Sequence, residues 1–342
     1  MMRDWTPDGA LAEFERTTIE LPGEDDGTLV ATVVRRVGEA KSDKAFLYLH
    51  GFVDYFFHEH VASALIAAGW DVYALELRRY GRSLRAGNRP NYCTSLAQYD
   101  TEISAAIAIA ADEDQHTTLV LYGHSTGGLI ASLYADSGAR RADISAVVLN
   151  SPFFGFKVNN LEAVKLGIGV AIGRVLPWLS DSKAISPMYG ESIHATARGE
   201  WNFDLRWKPI AGFPAYFGWV RAIKLGHRRV QRGLALQCPV LVLHSDQSGG
   251  GREWNDNFHS RDIVLNVDHM RRFSSGLGRD VQREEVPGAI HDVMLSRQPV
   301  RERALGSMLN WLQRLPLPPA PAEHARSHVV SRTPNAATPD AS

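Results

Sequence analysis

The stretch YGHSTGG, residues 122–128, decides the predicted fold. It directly follows the apolar run 118–121, and helical periodicity extends over 128–135. Residues 123–127 therefore fit the pattern G-x-S-x-G between a strand and a helix, where a turn exposes the serine, here Ser125, for nucleophilic attack. Glycines also occur in tight turns for packing alone. The motif by itself thus leaves both a packed turn and a reactive serine open.

Short strand-like segments, most of them continuous apolar runs, alternate with helix-periodic segments on both sides of this motif. The predicted strands are 45–49, 71–75, 118–121, 144–149, 239–243 and 281–286, and the predicted helices are 60–68, 96–111, 128–135, 267–273 and 300–312. Continuous apolar strands that alternate with helices predict an α/β fold, with a mostly parallel central sheet and helices on both faces. Two β-rich runs, 17–21 and 29–34, predict an N-terminal hairpin.

The alternation stops after residue 151 and resumes at 239. The segment 152–237 is helix-like and rich in tryptophan, which predicts a helical cap inserted into a core made of residues 1–151 and 238–314. Residues 315–342 are rich in proline and alanine and have no apolar periodicity, so we expect a disordered C-terminal tail.

Composition narrows the class of protein. The chain has 342 residues, with 37 Lys and Arg against 38 Asp and Glu, and this balance gives no basic face for nucleic acid. Two cysteines, Cys93 and Cys238, are too few for a disulfide framework.

The longest apolar stretch, 166–179, contains Arg174 and Pro177 and is shorter than the ~20 residues of a membrane span. With no signal peptide in view, we expect a soluble, cytoplasmic protein; the sequence does not predict its oligomeric state.

Two further segments can complete a nucleophilic site around Ser125. His50-Gly51-Phe52 follows the strand that ends at residue 49, and a turn there can aim the Phe52 N–H at an oxyanion. The N–H of Thr126, next to the nucleophile, is the second expected donor. His291 lies in the loop after the last strand, so parallel topology brings it to the same edge of the sheet as a general base.

Two aspartates compete for the role of the acid that orients His291. Asp246 follows the strand 239–243 closely, whereas Asp262 comes after a loop that contains three consecutive glycines. Closeness to the strand favours Asp246. Asp262 instead precedes a helix-like stretch, the last strand and then His291. The residues alone therefore leave both carboxylates open.

The ordered set of these motifs, over residues 17–314, resembles the α/β-hydrolase superfamily and, within it, the monoacylglycerol lipase, lysophospholipase and serine aminopeptidase-like group. Residues 75–83 are similar to a loop of that group, with Glu76 where an aspartate is common. The resemblance implies a triad in the order Ser, Asp, His. It also implies that a hydrophobic pair, one helix and one strand follow the acid, which favours Asp262 over Asp246 and makes 247–261 an insertion.

Two other motifs do not support a metal or a cofactor. The histidines of His58-Glu59-His60 are two residues apart and so cannot share one helix face. The segment 167–173 has one residue too many before its last glycine for a dinucleotide loop and has no strand before it. Small residues that let cap helices pack closely explain it better. We therefore expect neither a metal ion nor a cofactor.

These observations predict a serine hydrolase for small-molecule carboxylic esters with an apolar acyl group, with Ser125, Asp262 and His291 as the triad. A serine aminopeptidase or amidase of the same fold is an alternative, and Asp54 near the mouth of the site could then bind a substrate amine. A non-catalytic ligand-binding protein is a third reading, because fold does not imply function. Relatives with an aspartate nucleophile are disfavoured, since the elbow carries serine.

Overall fold

A nine-stranded sheet forms the centre of the molecule. The strands in chain order are β1 (Thr6–Pro7), β2 (Glu15–Glu24), β3 (Gly27–Arg36), β4 (Lys44–Leu49), β5 (Asp71–Glu76), β6 (Thr118–His124), β7 (Ala146–Asn150), β8 (Ser180–Asp181), β9 (Ala215–Tyr216), β10 (Val240–Ser245) and β11 (Val281–Val286). The order across the sheet is β1-β2-β3-β5-β4-β6-β7-β10-β11, and β8 and β9 form a separate antiparallel pair.

The structure, a computed structural model, describes residues 3–24, 27–181, 186–251 and 253–316. The predicted disordered tail, 315–342, lies outside the described residues from residue 317 onward.

The predicted parallel sheet and N-terminal hairpin are both confirmed. All neighbours from β5 to β11 are parallel, whereas β2 pairs antiparallel with β3 and β3 pairs antiparallel with β5. Because the carboxyl ends of parallel strands share one edge, the loops after β4, β6, β7, β10 and β11 are brought together there.

Helices cover both faces of this sheet. They are α1 (Glu59–Ala67), α2 (Asp100–Ala108), α3 (Thr126–Ser137), α4 (Asn160–Val175), α5 (Met188–Ile193), α6 (Phe217–Gln231), α7 (Val267–Ser274) and α8 (Gln298–Gln313). Alternate residues of β4 enter different hydrophobic clusters: Leu47 and Leu49 pack into one, and Phe46 and Tyr48 into the other. This is the two-residue period of a strand that is buried on both faces.

The predicted helix over 96–111 is not one continuous α-helix. It begins with a 3₁₀ turn at Leu96–Tyr99, capped by Ser95, and ends in a π turn at Ile109–Glu113. Strands β1, β8 and β9 were not predicted, because two residues are too few to show a period.

The cap helices α4, α5 and α6 lie between β7 and β10. A Cβ on Gly173 of α4 would overlap the carbonyl oxygen of Phe217, and one on Gly169 would lie 3.2 Å from the ring of Phe217. These glycines therefore let α4 and α6 pack closely, as predicted for the segment 167–173. Among the described residues, no helix combines the length and the apolar character that crossing a membrane requires.

Candidate active site

Ser125 occupies a strained turn between β6 and α3. Its φ of 53° and ψ of −116° are rare for a residue with a side chain. The Ser125 N–H donates to the carbonyl oxygen of Asn150 at 2.9 Å, and the Ser125 carbonyl accepts the N–H groups of Gly128 and Phe153, both at 3.0 Å. Bonds to β7, α3 and the start of the cap hold this backbone in place.

The glycines of the elbow are required by space. A Cβ on Gly123 would overlap the carbonyl of Gly127, and a Cβ on Gly127 would overlap the carbonyl oxygens of Leu49 and His50 at the end of β4. The two readings of the motif are therefore compatible, because the close-packed turn is also what presents the serine.

His291 and Asp262 form a buried hydrogen-bonded pair. His291 Nδ1 lies 2.9 Å from Asp262 Oδ2, and the other carboxylate oxygen accepts the backbone N–H groups of Val264 and Leu265 at 2.8 and 2.7 Å. Burial alone raises the pKa of a carboxyl, but His291 and these two donors outweigh burial and lower the pKa of Asp262. Nδ1–H donation to Asp262 leaves Nε2 of His291 as an acceptor.

The predicted insertion, 247–261, is what brings Asp262 to this position. The chain leaves the sheet after β10 and returns, so that Asp262 N–H donates to Gln247 O at 2.9 Å and Gly249 N–H donates to Asp262 O at 2.7 Å. Ser248 and Asp262 thus form a parallel bridge that continues the end of β10. The insertion is a loop whose two ends meet.

Asp246 has a different environment. Its carboxylate accepts the N–H of Gly288 at 3.1 Å and a side-chain N–H of Gln247 at 3.2 Å. Within the described ranges, neither a hydrogen bond nor an ion pair joins it to His291. Of the two aspartates considered, Asp262 contacts the histidine, and Asp246 braces the loop before it.

The loop after β4 carries the predicted oxyanion donor, Phe52. The N–H groups on either side are used: Gly51 donates to Asp54 Oδ2 at 3.3 Å and Val53 donates to Asn91 Oδ1 at 3.2 Å. Among the described residues, the N–H of Phe52 has no hydrogen-bond acceptor. It is therefore available to a bound oxygen.

The second predicted donor, Thr126, lies at the first position of α3, where an N–H has no partner within the helix. Within the part of the chain that the structure describes, its N–H also has no acceptor. The positive end of the helix adds a favourable field for a developing negative charge.

His50 fixes the geometry of this loop. Its Nε2 accepts the N–H of Leu77 at 3.1 Å, so Nδ1 carries the proton and donates to the carbonyl of Gly51 at 2.8 Å. Burial lowers the pKa of His50 to about 4, which keeps the ring neutral. Its role here is therefore structural.

A buried polar network lies behind the elbow, and most of it was not predicted. Asp54 Oδ1 accepts Lys208 Nζ at 2.5 Å, and Asp54 Oδ2 accepts His124 Nδ1 at 3.1 Å. Asp292 Oδ2 accepts His58 Nε2 at 2.9 Å. The expectation that Asp54 could bind a substrate amine does not fit this structure, because Asp54 is 1% exposed and already holds the Lys208 ammonium.

No sequence signal links these residues, since Lys208 is 154 positions from Asp54. In the sequence, His58 is recognisable only as part of the His58-Glu59-His60 motif. His60, two residues later, instead donates from Nε2 to the carbonyl oxygen of Met294 at 2.8 Å. Among the described residues, no group of three or more His, Cys, Asp or Glu side chains could hold a metal ion.

The sequence matches a known protein family over most of its length. The profile of the Hydrolase_4 family, described as serine aminopeptidase, S33, matches residues 40–298. The chain belongs to this S33 hydrolase family. The predicted resemblance to the monoacylglycerol lipase and serine aminopeptidase-like group of α/β-hydrolases is thereby confirmed.

This S33 family member is similar to several lipases. It is 28% identical over 272 residues to a monoacylglycerol lipase of Mycolicibacterium smegmatis, over 77% of this chain and 85% of that lipase. Its fold matches a monoacylglycerol lipase of Paleococcus ferrophilus with a TM-score of 0.61 at 20% identity, over 83% of this chain and 98% of the other. It also matches a soluble variant of monoglyceride lipase from Saccharomyces cerevisiae, bound to a substrate analogue, with a TM-score of 0.62 at 15% identity, over 91% and 94% of the two chains.

Proposed function

We propose that this hydrolase cleaves carboxylic esters with an apolar acyl group through an acyl-enzyme on Ser125. His291 is the general base and acid, and Asp262 orients it. The observation that carries the proposal is the 2.9 Å hydrogen bond between His291 and Asp262, at the sheet edge where the turn with positive φ presents Ser125. A base that an acid holds in one tautomer is what the activation of a serine nucleophile requires.

The chemistry follows from the hydrogen bonds. Because Nδ1–H of His291 donates to Asp262, Nε2 accepts the proton of the Ser125 hydroxyl as its oxygen attacks the ester carbonyl. The carbonyl oxygen becomes negative and accepts the N–H groups of Phe52 and Thr126; each such donor contributes on the order of 10²–10³ in kcat. His291 then protonates the leaving alcohol. Water, activated by the same histidine, releases the acid.

A cleft of about 290 Å³ lies between α4 and α6. Its lining combines the apolar side chains of Phe156, Val158, Leu166 and Val170 with the polar ones of Lys224, Arg228, Gln231 and His269, and Ser125 and His291 do not line it. The ring of Phe156 is 5.1 Å from that of Phe153, whose N–H bonds to the carbonyl of Ser125. One wall of the cleft therefore lies near the elbow, although the cleft does not contain Ser125. The support for an apolar acyl group is the similarity to the M. smegmatis relative, which is a monoacylglycerol lipase.

The family description also raises an aminopeptidase. Such an enzyme needs an available carboxylate for the substrate ammonium, and Asp54 was the residue expected to supply it. Because Lys208 occupies that carboxylate and Asp54 is buried, an ester substrate without a free amine is favoured.

A fluorophosphonate probe, followed by peptide mapping, tests the nucleophile. We expect a single labelled site at Ser125, no labelling of Ser125→Ala, and full labelling of the control Ser132→Ala, whose hydroxyl donates to the carbonyl of Gly128 within α3. Labelling elsewhere, or none, would refute the proposed mechanism.

A substrate series tests the specificity. Nitrophenyl esters of increasing acyl length are expected to be cleaved with a preference for apolar acyl groups, and amino-acid anilides are expected to be poor substrates. Faster cleavage of the anilides would favour the aminopeptidase. Ligand binding that is the same in wild type and Ser125→Ala, without turnover, would favour a non-catalytic binding protein.

A further inference from the structure

One carboxylate, that of Asp54, lies where the loop after β4, the elbow and the cap meet. Its Oδ2 accepts the Gly51 N–H at 3.3 Å and His124 Nδ1 at 3.1 Å, and its Oδ1 accepts Lys208 Nζ at 2.5 Å. Gly51 immediately precedes Phe52, and His124 immediately precedes Ser125. The same carboxylate therefore holds the residue before an oxyanion donor and the residue before the nucleophile.

The cap segment 203–208 is seated on residues 54–57 of this loop. The hydroxyl of Tyr55 accepts the N–H of Asp204 at 2.7 Å, and the rings of Phe57 and Phe203 lie 5.2 Å apart. The Lys208 ammonium lies 5.5 and 5.6 Å from the centres of those two rings. Lys208 is only 6% exposed, so its charge is directed into the site and not into solvent.

We propose that Lys208 is a positioning residue of the hydrolase: the cap supplies the cation that keeps Asp54 in place, and Asp54 in turn aligns the Phe52 N–H with Ser125. The inference rests on the proposed function of Ser125. It makes this part of the cap a component of the catalytic geometry, in addition to a cover over the substrate.

The charges around Asp54 explain why the cation is needed. Burial alone raises the pKa of this carboxyl, but Lys208 and His124 outweigh burial and hold the pKa of Asp54 well below its usual range. The other titratable groups that face it are His50, His58, Asp292, Tyr48, Tyr122 and Tyr189. None of these six groups is a lysine or an arginine, so Lys208 supplies the ammonium beside Asp54. Without it, the effect of burial would be less opposed and the pKa of Asp54 would rise, and a protonated carboxyl would lose acceptor strength toward Gly51 and His124.

The variant Lys208→Met tests the proposal. Small misplacements of catalytic groups cost roughly 10² in rate, so we expect kcat to fall about 100-fold near pH 6 with KM changed less than about threefold. The loss should shrink as the pH rises, because Asp54 then ionises without the lysine. The matched control is Arg206→Met, which removes an exposed cation of the same cap turn, paired with Asp204. It should leave the rate and the pH profile unchanged.

The double variant Lys208→Met/Asp54→Asn separates charge from folding. It has no unpaired buried carboxylate, so we expect it to fold even if the single variant does not, with a kcat loss of about tenfold and a pH profile parallel to wild type. Wild-type kcat in the double variant would overturn the proposal. So would a single variant with a parallel pH profile or an effect on KM alone.

Probe labelling of the wild type separates this proposal from the proposed function. If Ser125 does not react, the function itself fails. If Ser125 reacts and Lys208→Met behaves like Arg206→Met, only the positioning role fails.

Discussion

Replacing Asp262 by asparagine perturbs one property of the candidate triad, the tautomer of His291. The two backbone donors of Val264 and Leu265, at 2.8 and 2.7 Å, need an acceptor. The amide oxygen of asparagine must therefore take the position of Oδ1, and the amide NH₂ must face His291 Nδ1, now 2.9 Å from Oδ2. Nδ1 then becomes the acceptor and the ring proton moves to Nε2. In that form His291 cannot accept the serine proton.

The size of the effect follows from this single change. The same replacement in a serine protease triad lowers kcat by about 10⁴, which corresponds to roughly 5 kcal/mol of transition-state stabilisation. Because the shape of the side chain is retained, KM should change by less than about threefold. The predicted loss is therefore confined to kcat.

The assay compares Asp262→Asn with Asp246→Asn on one nitrophenyl ester, with thermal unfolding as the check on folding. Asp246→Asn keeps an acceptor for the N–H of Gly288 and has no contact with His291 in the described structure. We expect it to retain activity within about threefold of wild type. A tenfold loss or less in Asp262→Asn, or an equal loss in Asp246→Asn, would refute the assignment of the acid.

Three further perturbations have defined outcomes. Gly127→Ala should abolish activity and lower the melting temperature, because its Cβ would overlap two backbone carbonyls at the end of β4, whereas Gly167→Ala meets nothing within 4 Å and should stabilise α4 by about 0.5–1 kcal/mol. Asn91→Ala removes the acceptor of the Val53 N–H in the loop of the oxyanion donor, where Val53 has a φ of 51°. We expect a kcat loss of roughly 10–100-fold at similar KM in steady-state assays. The lowered pKa of Asp262 means that its ionised form stabilises the fold above the unfolded-state pKa of about 4. The difference in unfolding free energy between wild type and Asp262→Asn, measured in urea, should therefore be largest at pH 7 and should shrink toward pH 3.

The inner strands were predictable because burial on both faces leaves a continuous apolar run in each of them. The predicted strand 45–49 is β4, Lys44–Leu49. The predicted strand 281–286 is β11, Val281–Val286, an edge strand with four polar residues between its two valines. The elbow was predictable for a related reason. Gly123 and Gly127 are fixed by backbone atoms close to them in space, so the steric requirement appears as a short local motif.

The side-chain contacts around Ser125 could not be predicted from a local motif, because each contact connects residues that are far apart in the chain. Position after β10 favoured Asp246, yet the loop 247–261 closes on itself through the Ser248–Asp262 bridge and returns Asp262 to that place. Loop closure of this kind depends on backbone hydrogen bonds, which leave no pattern in the side chains. The contact between Lys208 and Asp54 also has no signal in the sequence, since a lysine in a polar segment is normally solvated.

A donor for each buried carboxylate is the requirement that the side-chain contacts of this site share. Three buried carboxylates, Asp54, Asp262 and Asp292, lie in the loops that surround Ser125, where the proposed mechanism forms a negative oxyanion. At an effective dielectric constant of about 20, one uncompensated charge roughly 8 Å away would oppose that oxyanion by about 2 kcal/mol. Each carboxylate has its own donor: Lys208 for the first, His291 for the second, and His58 for the third. In the proposed mechanism the cap therefore contributes a charge, because, of these three donors, Lys208 is the ammonium and is the one that comes from outside the core of the fold.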